Sequence, residues 1–348
     1  MKKLLSFLKY TLLLGVSAFL MWYALKELDF EKLWAELQNA DYGWVALSLV
    51  MGVVAYLSRA YRWQMQIKPT GYQPSLHNTY NAMMVGYIAN LVLPRMGEVV
   101  RCSMLRRSDG LPVNKGFGTV IAERFVDMLM LLIALSLTLL IEFRQIKDFF
   151  WELLSSKYSN LEQTVNQLYW LAVIMLGLSI VLFVVAYRYL NKLRENVYFQ
   201  KGEQFMRGML QGVLSITKLD NQAAFWGHTV FVWLMYYGSS LVVFYALPGT
   251  SHLSYGAALS VLVVGSLGMA APVQGGVGVY HLLVQATLLL YGVPKEAGMA
   301  YALLAHTSQT LLVVIMGVLS FIAGMLRKPS AEAVLPETKA MANHEFNR

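Results

Sequence analysis

The sequence is poor in the residues that build disulfide frameworks, metal clusters and soluble surfaces. It contains a single cysteine, Cys102, which excludes an intramolecular disulfide and any cysteine-based metal cluster. Only 14% of the 348 residues are charged, whereas 57% are apolar. Soluble domains carry about 25% charged residues. The composition therefore argues against an ordinary globular protein and favours a chain that lies in lipid.

Catalytic and metal-binding patterns are also missing from the sequence. No spacing of histidines predicts a metal site, and no Ser/His/Asp or paired-carboxylate arrangement indicates catalysis. His228, His281 and His306 occupy apolar positions, where a histidine most often packs between helices. We therefore expect no cofactor, no metal and no enzymatic activity. The formal charge of +8 comes from basic residues between apolar segments, so we expect no nucleic acid partner.

Long apolar runs are present instead. A membrane-spanning helix needs about 20 residues. Five runs approach this length: Tyr10 to Leu25, Trp44 to Ser58, Trp170 to Tyr187, Ala223 to Leu247 and Met299 to Met325. A sixth begins near Lys115 and ends in the uncharged segment Met128 to Ile141. We predict an all-α, polytopic membrane helix bundle with six full spans, a transmembrane domain over residues 1–326 and a disordered cytoplasmic tail over residues 327–348.

The basic residues predict the orientation of this bundle. With a cytoplasmic N-terminus, most lysines and arginines fall in the segments 1–10, 59–115, 188–222 and 326–348, which are then all inside. This agrees with the positive-inside rule. We expect a multi-pass protein of the cell (inner) membrane, with both termini cytoplasmic.

Two apolar hairpins are broken by proline and glycine. The first, Asn78 to Leu93, contains Gly86 and Asn90 as interruptions and continues into Pro94-Arg95-Met96-Gly97-Glu98-Val99-Val100-Arg101. The second, Ala257 to Ala271, continues into Pro272-Val273-Gln274-Gly275-Gly276-Val277-Gly278-Val279-Tyr280-His281. Both breaks read Pro-x-x-Gly-x-Val, and each hairpin lies between two long apolar runs. Because the predicted orientation makes them enter from opposite faces, we predict re-entrant hairpins in inverted repeats, with chance similarity of two turns as the alternative.

The second break is rich in glycine. Gly275, Gly276 and Gly278 stand just before an apolar helix, where backbone amides can be presented to an anion. Irregular backbone at membrane depth is tolerated only where protein or a water-filled cavity surrounds it. The two breaks are therefore predicted to line a cavity.

Charges enter the sixth span. Its uncharged part gives roughly 21 Å of helix, against about 30 Å of hydrocarbon core, so Glu123, Arg124 and Asp127 are drawn into the membrane. Such groups should face the bundle interior and pair, and Arg124 lies within reach of Asp127. Candidate partners on cytoplasmic-side elements are Arg62, Arg95, Glu98 and Arg101. A structural ion-pair network and a substrate site both remain open.

These segments resemble the lysylphosphatidylglycerol synthase transmembrane region family, also called the flippase-like domain. The matching residues are Ala40 to Trp44, Arg59 to Trp63, Asn90 to Arg101, Glu123-Arg124 with Asp127, and Pro272 with Gly275 to Gly278. The resemblance implies helical membrane domains that move aminoacylated phosphatidylglycerol or related isoprenoid-phosphate lipids between leaflets. The sequence departs from the family at His281, where members often have a glutamate.

The family also includes bifunctional members, in which a soluble aminoacyl transferase domain follows the membrane part. Because this chain stops after its last predicted span, the resemblance implies a stand-alone member without lysine transfer. The leading hypothesis is a flippase whose partners are the bilayer and an anionic or aminoacylated lipid substrate. The alternatives are a membrane enzyme or accessory subunit acting on lipid-linked sugars, with Glu98 or Asp127 as general base, and a scaffold. The sequence leaves open the lipid, the direction of movement, the energy source and the formation of a homo-oligomer.

The predicted substrate site of the flippase combines charged residues of the first hairpin and its neighbours with the glycine turn of the second. Its members are Arg62, Arg95, Glu98, Arg101, Glu123, Arg124, Asp127, Gln274, Gly275, Gly276, Gly278 and His281.

Overall fold

The computed structural model of the protein describes residues 15–93, 96–142, 197–271 and 273–326. These residues form helices joined by short turns, and no strand occurs among them. In chain order the helices are α1 (Gly15–Leu25), α2 (Phe30–Gln38), α3 (Tyr42–Ile67), α4 (Leu76–Val92), α5 (Gly97–Asp109), α6 (Val113–Ile141), α7 (Val197–Val213), α8 (Gln222–Phe244), α9 (Tyr255–Ala270), α10 (Val279–Leu290) and α11 (Lys295–Leu326). The prediction of an all-α fold is confirmed.

Four of these helices are long and apolar enough to cross a membrane. They are α3 with the helical turn that follows it (Tyr42–Thr70), α6, α8 and α11. Large apolar side chains such as Leu140 on α6 and Leu326 on α11 are exposed, as a lipid-facing surface requires. The molecule is thus an all-α membrane protein. The predicted run Trp170 to Tyr187 lies outside the described residues, and six spans remain a prediction.

The chain divides into two compact units, residues 1–141 with 209–348, and residues 142–208. The helix packing and the charged cluster of the candidate site lie within the first unit. It contains both of the repeats predicted from the sequence, which we call the first half (α3 to α6) and the second half (α8 to α11).

The first hairpin is built from α4 and α5, which pack closely. A Cβ atom on Gly97 would collide with the carbonyl oxygen of Gly86 and with the side chain of Asn90. The Gly97 N–H donates to Asn90 Oδ1 at 2.6 Å, which satisfies an amide at the start of α5. Helix α4 runs unbroken through Gly86 and Asn90, which interrupt the apolar sequence but not the helix. Contact with α5 offsets the helical cost of a glycine, which is about 1 kcal/mol.

The second hairpin joins α9 and α10 through a turn at residues 273–278. Gly275, Gly276 and Gly278 have φ values of 58°, 74° and 84°, in the left-handed region that favours glycine. Gly278 lies against α1, since an added Cβ would stand 2.6 Å from Leu20 Cβ. The predicted break in the apolar helix is therefore present, and glycine permits both its backbone path and its close packing.

The two halves pack with matching contacts. Helices α3 and α8 run antiparallel, because Ser48 Oγ lies 2.7 Å from Ser239 Oγ while Ser58 Oγ lies 2.8 Å from His228 Nδ1. Helix α4 packs against α11, and its counterpart α9 packs against α6. The first helix of each hairpin thus packs against the last helix of the other half.

The hairpin helices are short for a membrane span. Helices α4 and α5 have 17 and 13 residues, and α9 and α10 have 16 and 12. A full crossing needs about 20 residues. These lengths agree with the expectation of re-entrant hairpins, which remains a prediction.

Candidate functional site

Five charged side chains from α3, α5 and α6 form one cluster, which consists of Arg59, Arg62, Arg101, Glu123 and Asp127. Arg59 Nε lies 2.7 Å from Glu123 Oε1, and its Nη2 binds Asp127. Arg62 Nη2 lies 2.8 Å from Asp127 Oδ1 and 3.4 Å from Glu123 Oε1. Asp127 is partly exposed and the other four are buried. The arginines of α3 thus hold both carboxylates of α6.

Helix α8 completes the arginine side of this cluster. Arg59 Nη1 donates to the Tyr236 hydroxyl at 3.1 Å, and Arg62 Nη1 donates to Thr229 Oγ1 at 3.3 Å. Because α8 is the first helix of the second half, residues of both halves hold the two arginines in place. Burying an ion pair is costly unless such additional hydrogen bonds satisfy its remaining donors.

Arg101 on α5 is bound less completely. Its Nη1 lies 2.9 Å from Glu123 Oε2, but the N–H is not aligned for a hydrogen bond. None of its three guanidinium nitrogens has a hydrogen-bond partner among the described residues, although the side chain is only 2% exposed. The guanidinium lies over the Trp63 ring, 4.5 Å from its centroid, in a cation–π contact. Arg101 is therefore a buried cation with unused donors.

The cluster is unbalanced in charge. Three guanidinium groups face two carboxylates, which leaves one positive charge in excess. An unpaired charge inside a membrane protein is expensive and usually finds a partner. An anion with several oxygens would match the free donors of Arg101, because the planar guanidinium fork binds phosphate and carboxylate groups in pairs of hydrogen bonds.

Arg124 does not join this cluster. Its Nη2 lies 2.9 Å from Glu98 Oε1 on α5, and its side chain is 47% exposed. The predicted approach of Arg124 to Asp127 is wrong, because both oxygens of Asp127 bind the arginines of α3. Arg124 is also one position beyond Glu123, about 100° around the helix, so it faces another side of α6.

The corresponding positions in the second half are uncharged. Glu123 and Tyr301 stand the same number of residues after their hairpin prolines, and Arg62 and Ser240 the same number before them. In place of the ion pair, the Tyr301 hydroxyl donates to the Ser240 carbonyl at 2.7 Å. The same contact between equivalent helices is thus made without charge, and the electrostatics of the site belong to the first half.

The two hairpin breaks meet. Gln274 Nε2 donates to the Val92 carbonyl at 3.3 Å, and a Cβ on Gly275 would lie 3.0 Å from Leu91 Cδ2. The amide of Gly278 is not free for an anion, because it donates to His281 Nδ1 at 3.4 Å. In the part of the chain that the structure describes, no hydrogen bond or ion pair joins this turn to the arginine cluster. Arg95 lies outside the described residues.

Arg62, Arg101, Glu123 and Asp127 are predicted to share one site, and the structure brings these four side chains together. Arg59 is not among the predicted site residues, although it contacts both carboxylates. Arg59 lies in the segment that determines orientation, so its charge was attributed to the positive-inside rule. Its spacing of three residues from Arg62 was the available signal, because residues so spaced share a helix face.

No metal centre is formed by the described residues, where no group of three or more His, Cys, Asp or Glu side chains could hold an ion. Fold and cluster together define a helical membrane protein with a buried, positively charged site between two repeated halves.

The chain belongs to the family described as the lysylphosphatidylglycerol synthase TM region, whose model matches residues 10–317. A segment of 122 residues is 26% identical to UPF0104 membrane protein MJ1595 of Methanocaldococcus jannaschii, and the match covers 34% of this chain and 36% of that protein. A segment of 94 residues is 30% identical to glycosyltransferase AglD of Haloferax volcanii, covering 27% of this chain and 15% of that protein. Both matches thus span well under half of the relative's length. No solved structure matches the chain.

Proposed function

We propose that this protein moves an anionic lipid, carrying a phosphate or aminoacylated phosphate headgroup, between the leaflets of its membrane. The observation that carries the proposal is Arg101, which is buried in a positively charged cluster with its guanidinium donors unused. A headgroup phosphate would supply both the missing negative charge and the missing acceptors.

The helix arrangement supports a transport role for this site. The cluster is assembled from α3, α5 and α6 and is tied by Arg59 and Arg62 to α8 of the second half. The two broken hairpins touch at Val92 and Gln274. Contacts of this kind between repeated halves can be exchanged when one half moves against the other, which is how transporters with inverted repeats give access from alternate sides.

The acidic residues have a positioning role in this proposal. Glu123 lies within ion-pair distance of three arginines, so it holds the cations in place before a headgroup binds. Asp127 is the most exposed member of the cluster. A zwitterionic or aminoacylated headgroup would bring its amine to this carboxylate while its phosphate binds Arg101.

A second candidate is a membrane enzyme or accessory subunit acting on lipid-linked sugars, which the printed name of the glycosyltransferase relative favours. It would use Glu98 or Asp127 as general base. Both carboxylates already bind arginines, so their oxygens are engaged in ion pairs rather than free to contact a substrate. The transport proposal therefore fits these two residues better.

The test is reconstitution of the purified chain in liposomes that contain a labelled phosphatidylglycerol, an isoprenoid phosphate or, as the neutral control, a phosphatidylcholine. The proposal expects faster leaflet exchange than in empty vesicles for at least one anionic lipid and unchanged lipid chemistry afterwards. Absence of exchange for every anionic lipid, with chemical conversion of one of them, would establish the enzyme instead.

A further inference from the structure

The second half contains a buried pair of histidines at its hairpin turn. His281 is in the first turn of α10 and His306 is on α11, and their ring centroids are 4.8 Å apart. Their side chains are 2% and 7% exposed. The Tyr280 ring lies 5.1 Å from that of His306 and 5.8 Å from that of His281, so it packs against both members of the pair.

The hydrogen bonds fix the proton of each ring. His306 Nε2 lies 2.8 Å from the Gly275 carbonyl oxygen, which can only accept, so this nitrogen carries the proton. The Gly278 N–H donates to His281 Nδ1, so the proton of His281 is on Nε2. That Nε2 has no partner among the described residues. Each neutral ring therefore keeps its Nδ1 as the atom that can take a further proton.

Few other titratable groups lie near the pair. Helices α9 and α10 contain no Asp, Glu, Lys or Arg, and α11 has only Lys295 and Glu296, in its first turn. The titratable side chains on the elements packed against α10 and α11 are otherwise Tyr23 on α1, Glu31, Lys32 and Glu36 on α2, Tyr42, Tyr56, Arg59, Tyr61 and Arg62 on α3, His77, Tyr80 and Tyr87 on α4, His228, Tyr236 and Tyr237 on α8, and Tyr255 on α9, with Tyr280 on α10 itself, Tyr291 directly after it and Tyr301 on α11 itself. Among the described residues, the Tyr280 ring packs against both imidazole rings.

We propose that His281 and His306 together bind one proton and couple its passage to lipid movement. The inference rests on the proposed transport function and adds its energy source. A second proton is opposed because two imidazolium rings at this separation would repel each other. The ligand is a proton rather than a metal ion, since two ring nitrogens are too few for a tetrahedral site.

Protonation would alter the hairpin turn directly. A proton on His281 Nδ1 places a donor against the Gly278 N–H, which then loses its acceptor. It also puts a positive charge at the N-terminus of α10, where the helix dipole opposes it. The turn released in this way is the one that contacts α4 through Gln274 and Gly275. The charge state of the pair is thus linked to the contact between the two halves.

The experiment measures the final leaflet distribution of labelled phosphatidylglycerol in proteoliposomes with an imposed difference of one pH unit. Coupling to one proton can shift the ratio between leaflets by up to about tenfold for each pH unit. The wild-type chain should produce such an asymmetry, and H281Q and H306Q should lose it. His228→Gln is the matched control, because His228 bonds Ser58 outside the pair, and it should keep the asymmetry.

A wild-type protein that exchanges lipid but reaches the same even distribution with and without the gradient would overturn the proton site and leave the proposed function standing. A wild-type protein without any exchange would contradict the proposed function itself, and with it the coupling. Imidazole spectra of the full chain labelled with ¹⁵N-histidine then decide whether the proton site exists. One ring of the pair should become charged on acidification while the other stays neutral, whereas two independently titrating rings would refute it.

Discussion

Arg101 and Glu123 contribute differently to the stability of the fold. Glu123 is fully buried and lies within ion-pair distance of three arginines, so it balances charge that would otherwise be unpaired. Arg101 is the cation in excess, and its main contacts are a poorly aligned carboxylate and the Trp63 ring. Glu123 is therefore structural, and the proposed transport function assigns the third guanidinium to the ligand.

This difference predicts an order of stabilities. Glu123→Gln should lower the free energy of unfolding by about 3–5 kcal/mol, the usual loss when one partner of a buried pair is removed. R101Q should cost clearly less, because it removes the surplus charge. Denaturant unfolding in detergent micelles measures both. Glu203→Gln, which breaks the exposed pair with Arg207, is the control and should change the free energy by less than about 1 kcal/mol. Equal losses for R101Q and E123Q would favour a purely structural network.

At the residue scale, the sequence predicted which residues form the cluster better than it predicted which of them pair with each other. The uncharged part of the sixth span is too short to cross the membrane, so nearby charged residues must lie within the span and face the bundle interior. Glu123 and Asp127 are identified in this way. The pairing of Arg124 depended on which acceptors the arginines of α3 had already taken. The partner of Arg124 is determined by packing between helices that are far apart in the sequence. The spacing of residues along one helix does not predict it.

At the level of elements, the first hairpin depends on the contact between Gly86 and Gly97. The two backbones approach so closely that no side chain fits between them, and the approach positions Arg101 one turn further along α5. Residue Gly97 also takes its amide partner from α4. The hairpin is therefore a rigid support for the cluster.

Gly97→Ala should force the hairpin apart. We expect a loss of about 1–3 kcal/mol from overpacking, together with loss of leaflet exchange as Arg101 moves. Gly227→Ala on α8 is the matched control, since nothing lies within 4 Å of its added Cβ, and it should be neutral or stabilising. Melting temperatures in detergent report the difference. Unchanged stability of G97A would show that the hairpin packs more loosely than described.

The element scale also shows what a pattern of glycine and proline can predict. Both hairpins were predicted from the Pro-x-x-Gly repeat, because such residues end helices by removing a donor or permitting a left-handed backbone. Gly86 inside α4 has a different role, because it allows close packing against α5 and does not end the helix. Whether a glycine ends a helix or allows a second helix to pack closely depends on the facing helix. That helix is not identified by the residues on either side of the glycine.

For the whole molecule, the contacts show that the first helix of each hairpin packs against the opposite half. Helix α4 rests on α11 and α9 rests on α6, while α3 and α8 run antiparallel. The charged cluster breaks this symmetry. Its counterpart is a tyrosine hydroxyl on a carbonyl, and the second half carries a histidine pair instead. One half therefore has the chemistry for an anion and the other the chemistry for a proton.

The charge distribution further predicts which side of the membrane each loop faces. In a Cys102→Ser background, an impermeant maleimide should label His252→Cys in intact cells and should not label Gln73→Cys. Both positions are exposed in the fold, so accessibility differs only through the membrane. Labelling of Gln73→Cys without His252→Cys would invert the orientation and the assignment of the first hairpin to the cytoplasmic face.

The most direct test of the account compares leaflet exchange of labelled phosphatidylglycerol by the wild-type chain, R101Q, Arg101→Lys and the surface control Arg207→Gln. Loss of charge-assisted hydrogen bonds to a phosphate should slow R101Q by roughly 10- to 100-fold. Arg101→Lys, which keeps the charge and loses the planar fork, should fall between R101Q and the wild type. Arg207→Gln should exchange lipid at the wild-type rate. Wild-type exchange by a folded R101Q would contradict the central claim that this buried arginine binds the headgroup.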